Sequence, residues 1–146
     1  MSMSDSSENA LALLLFNNTA WANVGDASGL QPSAAAGNFY IRLHTADPGE
    51  SGTGDTNQAN YTGYAAVAVV RTASGFTVAG ASVSNAGQVQ FGECTAGSNV
   101  VTHFSITTTS GAASQILVSG ALGASRTISS GITPLFNAGA LTGTFN

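Results

Sequence analysis

The chain is 146 residues long, enough for one domain with a real core, and only 7% of its residues are charged, against about 25% in an ordinary soluble protein. It contains no lysine, and its positive charges are Arg42, Arg71 and Arg126 against a net charge of −4. No basic patch is available for nucleic acid, and no run of about 18 apolar residues is available to span a membrane. Ser, Thr, Asn, Gly and Ala take the place of charge, a composition suited to extended contact with copies of the chain or with other proteins.

Met1–Ser4 is expected to fray. Asp5 or Ser6 is placed to cap a helix, and Asp5-Ser6-Ser7-Glu8 has the spacing of a capping box. The helix should run to about Phe16 and end at Asn17-Asn18-Thr19. Acidic Asp5 and Glu8 precede the apolar run Ala10–Phe16, where a signal peptide carries positive charge, so the reading is of a chain not secreted by the standard route. Leu11, Leu13, Leu14, Leu15 and Phe16 are spread around the helix rather than along one stripe. Such a helix is marginal alone and must be covered, either by its own sheet or by a neighbouring chain. In the second case Leu11, Leu14, Leu15 and Phe16 are the interface residues.

Trp21–Val24 reads as a short strand or an irregular turn, and Gly25–Gly37 as loop. Residues 1–37 therefore form a helix and an irregular arm, with a β region from 38 to 146. That region is organised around Asn38–Gly49, in which Phe39, Ile41 and Leu43 alternate with Tyr40, Arg42 and His44 before Asp47-Pro48-Gly49 stops the strand. Glu50–Asn60 is nearly devoid of apolar residues and reads as a surface loop. Further strands are expected at Tyr64–Thr72, Gly75–Val78, Ala81–Ser84, Gln88–Phe91, Val100–Thr108, Gln115–Leu122, Arg126–Ser129 and Ala140–Phe145, with turns at Asn85-Ala86-Gly87, Ser110-Gly111 and Ser130-Gly131. In Val100–Thr108, Thr102, Phe104 and Ile106 share one face, and Val101, His103 and Ser105 the other. Strands about ten residues apart with Gly, Ser and Asn turns describe a mainly β protein: an antiparallel β-sandwich or β-barrel, jelly-roll-like, with one N-terminal α-helix.

No constellation of catalytic residues emerges. Gly52-Thr53-Gly54 begins a phosphate-loop pattern but lacks the third glycine and the βα context. Only His44 and His103 could act as bases, and no spacing singles out a nucleophile. The two histidines share no metal-ligand spacing and are read as rim residues bonded to backbone. Asp47, Glu50 and Asp55 crowd one loop without the spacing of a calcium loop. Cys94, the single cysteine, is read as a buried thiol. Tyr40, Tyr61 and Tyr64 are candidates for a glycan platform but are read as core or strand-pairing residues. No catalytic residue, cofactor or metal is expected.

Leu43-His44-Thr45-Ala46-Asp47-Pro48-Gly49, Tyr64–Val69, Ser84-Asn85-Ala86, Val101–Ile106 and Ser119–Leu122 together resemble a family of small tailed-bacteriophage virion proteins, over about residues 38–142. Its members are usually labelled tail-fibre or virion structural proteins. The resemblance implies a particle component, no enzyme, and no set of functional residues. Ala66 stands where the family often has an aromatic residue or arginine. Two roles follow. The first, favoured by the low charge, the compactness and the apolar helix, is a capsid decoration (cement) protein on the head exterior. Its partners would be the major capsid protein and copies of itself, as a trimer. The alternative is a tail-fibre or tail-tip module that binds a host-surface glycan or protein. A fibre normally has a long trimerising shaft, for which 146 residues leave no room.

Overall fold

A computed structural model describes residues 2–145. The expectation for Met1, and the last position of the β region, Asn146, lie outside the described residues. Helix α1 (Asp5–Asn17) is followed by strands β1 (Asn38–His44), β2 (Val67–Val70), β3 (Phe76–Ala79), β4 (Ser82–Asn85), β5 (Val89–Gln90), β6 (Ser98–Thr107), β7 (Ile116–Ser129), β8 (Leu135–Phe136) and β9 (Thr142–Thr144). The strands form a four-stranded sheet in the order β2-β1-β6-β7, a three-stranded sheet β3-β4-β9 and a two-stranded ladder β5-β8, every pairing antiparallel. The protein is thus mainly β with one N-terminal helix, and of the two architectures the pattern allowed it is the sandwich. Val118 of β7 meets Gly143 of β9 so closely that a Cβ at 143 would stand 2.2 Å from a Val118 methyl.

The organising strand is central. β1 lies between β2 and β6, and from Ile41 to His44 every residue is buried. Phe39, Ile41 and Leu43 enter the main core with Phe104 and Ile106 of β6, as the alternation predicts. The opposite face is covered as well, by the segment after β1. Thr45 N–H bonds Asn57 O at 2.8 Å, Ala59 N–H bonds Leu43 O at 2.9 Å, and Gly54 N–H bonds Ser114 O at 2.9 Å. The expected surface loop Glu50–Asn60 is therefore a cover over β1, exposed at Asp55 and Asn57 but buried at Gly54 and Ala59.

β2 is shorter than the expected Tyr64–Thr72. The tyrosine takes over where strand pairing stops: its hydroxyl oxygen accepts the Leu43 N–H at 3.0 Å, on an edge that a longer β2 would have paired. Gln115–Leu122 and Arg126–Ser129, expected as two strands, are one. The register passes from Val101↔Arg126 to His103↔Ala121, so that Thr102 faces the extra residues Leu122–Ser125. A bulge lets the strand absorb them without ending.

α1 packs on β3 and β4. Its cap is Ser4, one residue earlier than expected, and it acts through its carbonyl, which accepts N–H groups from Ser7 and Glu8 at 2.9 and 3.0 Å. The expected side-chain capping box is absent. Asp5 and Glu8 still oppose the positive end of the helix dipole. Asn18, in the left-handed conformation, ends the helix, and Thr19 N–H bonds back to Leu13 O. The last turn contains no basic residue, and Arg71, from the end of β2, supplies one. Its guanidinium donates to Leu15 O at 2.7 Å, Leu14 O at 3.1 Å and Ala36 O at 3.1 Å, and lies 5.0 Å from the Phe39 ring centroid. One side chain thereby ties helix, arm and sheet together. Asn18 adds a reciprocal pair with the Ser33 backbone, both bonds 2.9 Å. Within the arm, Trp21 forms an isolated antiparallel bridge with Leu30, not a strand.

Candidate functional site

The residues of the sequence-level candidates fall in three places. The first is the polar strip between β1 and its covering loop, which holds Arg42, His44, Ser105 and Thr107, all buried. Arg42, 2% exposed, donates to Thr107 Oγ1 at 3.1 Å, Gly111 O at 2.7 Å, Thr109 O at 3.3 Å and Gln58 Oε1. Neutral acceptors hold this cation; none of these partners is a carboxylate. His44 Nδ1 lies 2.8 Å from Thr56 O, and Nε2 lies 2.7 Å from Ser105 Oγ. A carbonyl can only accept, so Nδ1 carries the proton and Nε2 accepts from the serine hydroxyl. Burial pushes the imidazole below its ordinary value, an effect that Arg42 and His103 reinforce while the Thr56 bond and Asp47 oppose it. A serine hydroxyl bonded to an oriented histidine is the geometry of a nucleophile and base. Here both side chains have no exposed surface, so no substrate can reach them and the pair acts as a tie between loop and sheet. His103 is half-buried, its Nδ1 2.9 Å from Thr102 Oγ1.

The acidic loop is the second place. Asp47 accepts the Gly49 N–H at 2.9 Å and Asp55 accepts the Thr53 hydroxyl, a bond that holds the Asp55 carboxyl below its ordinary value. Among the described residues no group of three or more His, Cys, Asp or Glu side chains is gathered that could hold a metal ion. Cys94 is buried, as expected. Tyr61 is core, its hydroxyl donating to Gly92 O at 3.0 Å, and Tyr64 stacks on Phe91 with centroids 5.9 Å apart. Burial pushes both phenols up to about 12. Neither forms a platform for a sugar.

On the helix, Phe16 has no exposed surface and meets Phe39, Phe76 and Phe145 edge-on at 5.4, 5.2 and 6.0 Å. Its ring is part of the protomer's own core. Leu11, Leu14 and Leu15 are half-buried and keep accessible surface.

A fourth place, outside those three, was not singled out by the sequence beyond counting its arginine. Arg126 of β7 lies between two open grooves. One, of about 510 Å³, is lined by Thr127, Ile128, Ile132, Thr133, Pro134 and Leu135. The other, of about 330 Å³, runs along Leu122–Ala124 to Phe136 and Ala140. The guanidinium carbon stands 4.8 Å from the centroid of the Phe136 ring. Ile132, 41% exposed, adds apolar surface to the first groove, and Val100, 50% exposed, is the cross-strand partner of Thr127. The bulge in β7 and the short β8 create this arrangement, and neither feature has a periodic signature.

A family model described as Podophage GP4 fiber I protein gp80 matches residues 2–144. No curated protein matches the chain.

Proposed function

Because the chain belongs to the Podophage GP4 fiber I protein gp80 family, making it a bacteriophage structural protein, we propose that it serves as a tail-fibre module of the virion. The observation that carries this reading is the family match, which runs through the helix, the arm and all three sheets rather than through the strands alone. The head-decoration role drew on an apolar helix free to dock elsewhere. That support is weaker now: Ala12 and Phe16 are buried in the protomer, and Arg71 fastens the helix C-terminus to the sheet. A fibre module needs stable folding and a recognition surface, and no chemistry of its own.

Labelling of purified particles with gold-conjugated antibody tests the proposal. Gold at the tail is expected; gold over the head exterior would overturn the fibre reading and make the major capsid protein the partner. Assembly with copies of the chain is part of the proposal, with Leu11, Leu14 and Leu15 as the contact. Leu14→Asp should then lower the sedimentation coefficient while leaving the β fold intact. Phe16→Asp should unfold the protein, since it places a charge in the aromatic core. A Leu14→Asp variant that sediments like the wild type removes the helix from the contact.

A further inference from the structure

We propose that the groove beside Arg126 binds a carboxylate-bearing saccharide unit. The saccharide class rests on the fibre reading, whereas the demand for an anion rests on Arg126 itself. Of the three cations, Arg42 is committed to Thr107, Gln58, Thr109 and Gly111, and Arg71 to Leu14, Leu15, Ser33 and Ala36. Arg126 has neither a hydrogen-bond nor an ion-pair partner among the described residues, although the chain carries seven acidic residues. Glu93 is exposed on the segment joined to Ile132 through the Cys94 N–H, and it makes no ion pair with Arg126.

The cation is nonetheless held in place. The guanidinium carbon lies over the Phe136 ring, 4.8 Å from its centroid, and Phe136 is itself buried and braced edge-on by Phe91 at 6.1 Å. None of its N–H groups is spent on a hydrogen bond among the described residues, and a guanidinium fork matches the two oxygens of a carboxylate. Holding the head in advance lowers the entropy cost of binding. The larger groove, at about 510 Å³, is within the range of small-ligand pockets, roughly 300–1,000 Å³. Its walls offer Ile132, Pro134 and Leu135 for the C–H face of a sugar ring, and Thr127 and Thr133 for hydroxyl groups. Anion, apolar face and hydroxyls are the three elements of a uronate or sialate unit. A protein partner would instead favour a broader, flatter surface.

Titration of the isotopically labelled protein with glucuronic acid and with N-acetylneuraminic acid, followed by amide chemical shifts, tests this, with glucose and acetate as controls. At least one acidic sugar should move the Thr127 and Ile132 amides, with glucose inactive and acetate much weaker. Arg126→Gln should weaken binding roughly tenfold or more, the loss expected for a charge-assisted bond. Ile132→Asp, which keeps Arg126 and adds a repelling charge at an exposed position, should weaken it too. Thermal melts of both variants establish that they fold.

Absence of binding by both acidic sugars overturns the proposal, as does equal binding by Arg126→Gln or by acetate. A change in the sedimentation of the free Arg126→Gln protein would also overturn it, by making a second copy the occupant. Binding together with head labelling would leave the site standing and remove the fibre reading. Tail labelling with no binding would do the reverse.

Discussion

Replacing Arg71 with methionine keeps an unbranched stem and removes the clamp on the helix. Three main-chain carbonyls, those of Leu14, Leu15 and Ala36, lose charge-assisted donors at 3.1, 2.7 and 3.1 Å. Such bonds contribute about 1.5–3 kcal/mol each when desolvated. Arg71 is only partly buried, and water can replace part of its role. A fair allowance is about 0.5–1 kcal/mol per bond after that screening. Loss of a cation at the helix C-terminus adds about 0.3–1 kcal/mol and loss of the Phe39 contact about 0.5–1 kcal/mol. The expected destabilisation is therefore about 2–5 kcal/mol, which for a protein of this size lowers Tm by roughly 5–20 °C. Urea unfolding monitored by far-UV circular dichroism measures the total. Trp21, the single tryptophan, reports on the arm, and amide exchange at Leu13–Asn17 reports on the last helical turn. Arg71→Lys should recover only part of the loss, because an ammonium cannot reproduce the fork that reaches two successive carbonyls. If Arg71→Met changes stability by less than about 0.5 kcal/mol, the ordinary scatter of surface substitutions, and leaves exchange of the last turn unaltered, the helix is held by Phe16 and Ala12 alone and the clamp argument is wrong.

Acid should destabilise the fold through His44. Its native pKa is held below the ordinary 6.5, chiefly by burial, so the unfolded chain binds the proton more readily and stability falls as pH drops below about 6.5. Urea midpoints at pH 7.5 and 5.5 should differ less in His44→Gln than in the wild type; an equal difference would refute the assignment. Gly54→Ala should cost about 1–3 kcal/mol, since the new Cβ would stand 2.6 Å from Ser114 Oγ and 2.8 Å from Arg42 Nε. A melt unchanged from the wild type would mean the covering loop is less tightly seated than these distances require. Buried Asn85 donates to Gly87 O and Asn137 O and accepts the Leu141 N–H at 2.9 Å. Asn85→Ala should therefore cost about 1–3 kcal/mol by leaving the buried Leu141 N–H unpartnered, and a loss below about 1 kcal/mol in urea unfolding would show that water substitutes for the amide.

Alternation in Asn38–His44 and in Val100–Thr108 was enough to read the two central strands, because side chains on a strand alternate between its faces whatever lies around them. The apolar run after Asp5 was likewise enough for one helix, and Asp47-Pro48-Gly49 for the stop. The low charge said only that the surface suits contact with other chains; the phage reading came from the resemblance carried by the ordered set of short motifs, and the family match over residues 2–144 supports a phage structural protein. Packing decided the rest. Whether Glu50–Asn60 is a free loop or a cover depends on Arg42 and His44 finding acceptors at Gln58 and Thr56, and those partners are set by tertiary contact rather than by any local preference. The union of two expected strands into β7 depends on its pairing with β6, which tolerates extra residues at a bulge. The fates of the three arginines were equally invisible. One is buried on neutral acceptors, one holds a helix end, and one lies across a phenylalanine between two grooves. A guanidinium carries the same charge everywhere in a sequence, and only the chain brought around it determines whether its hydrogen bonds are satisfied from within or left to a ligand.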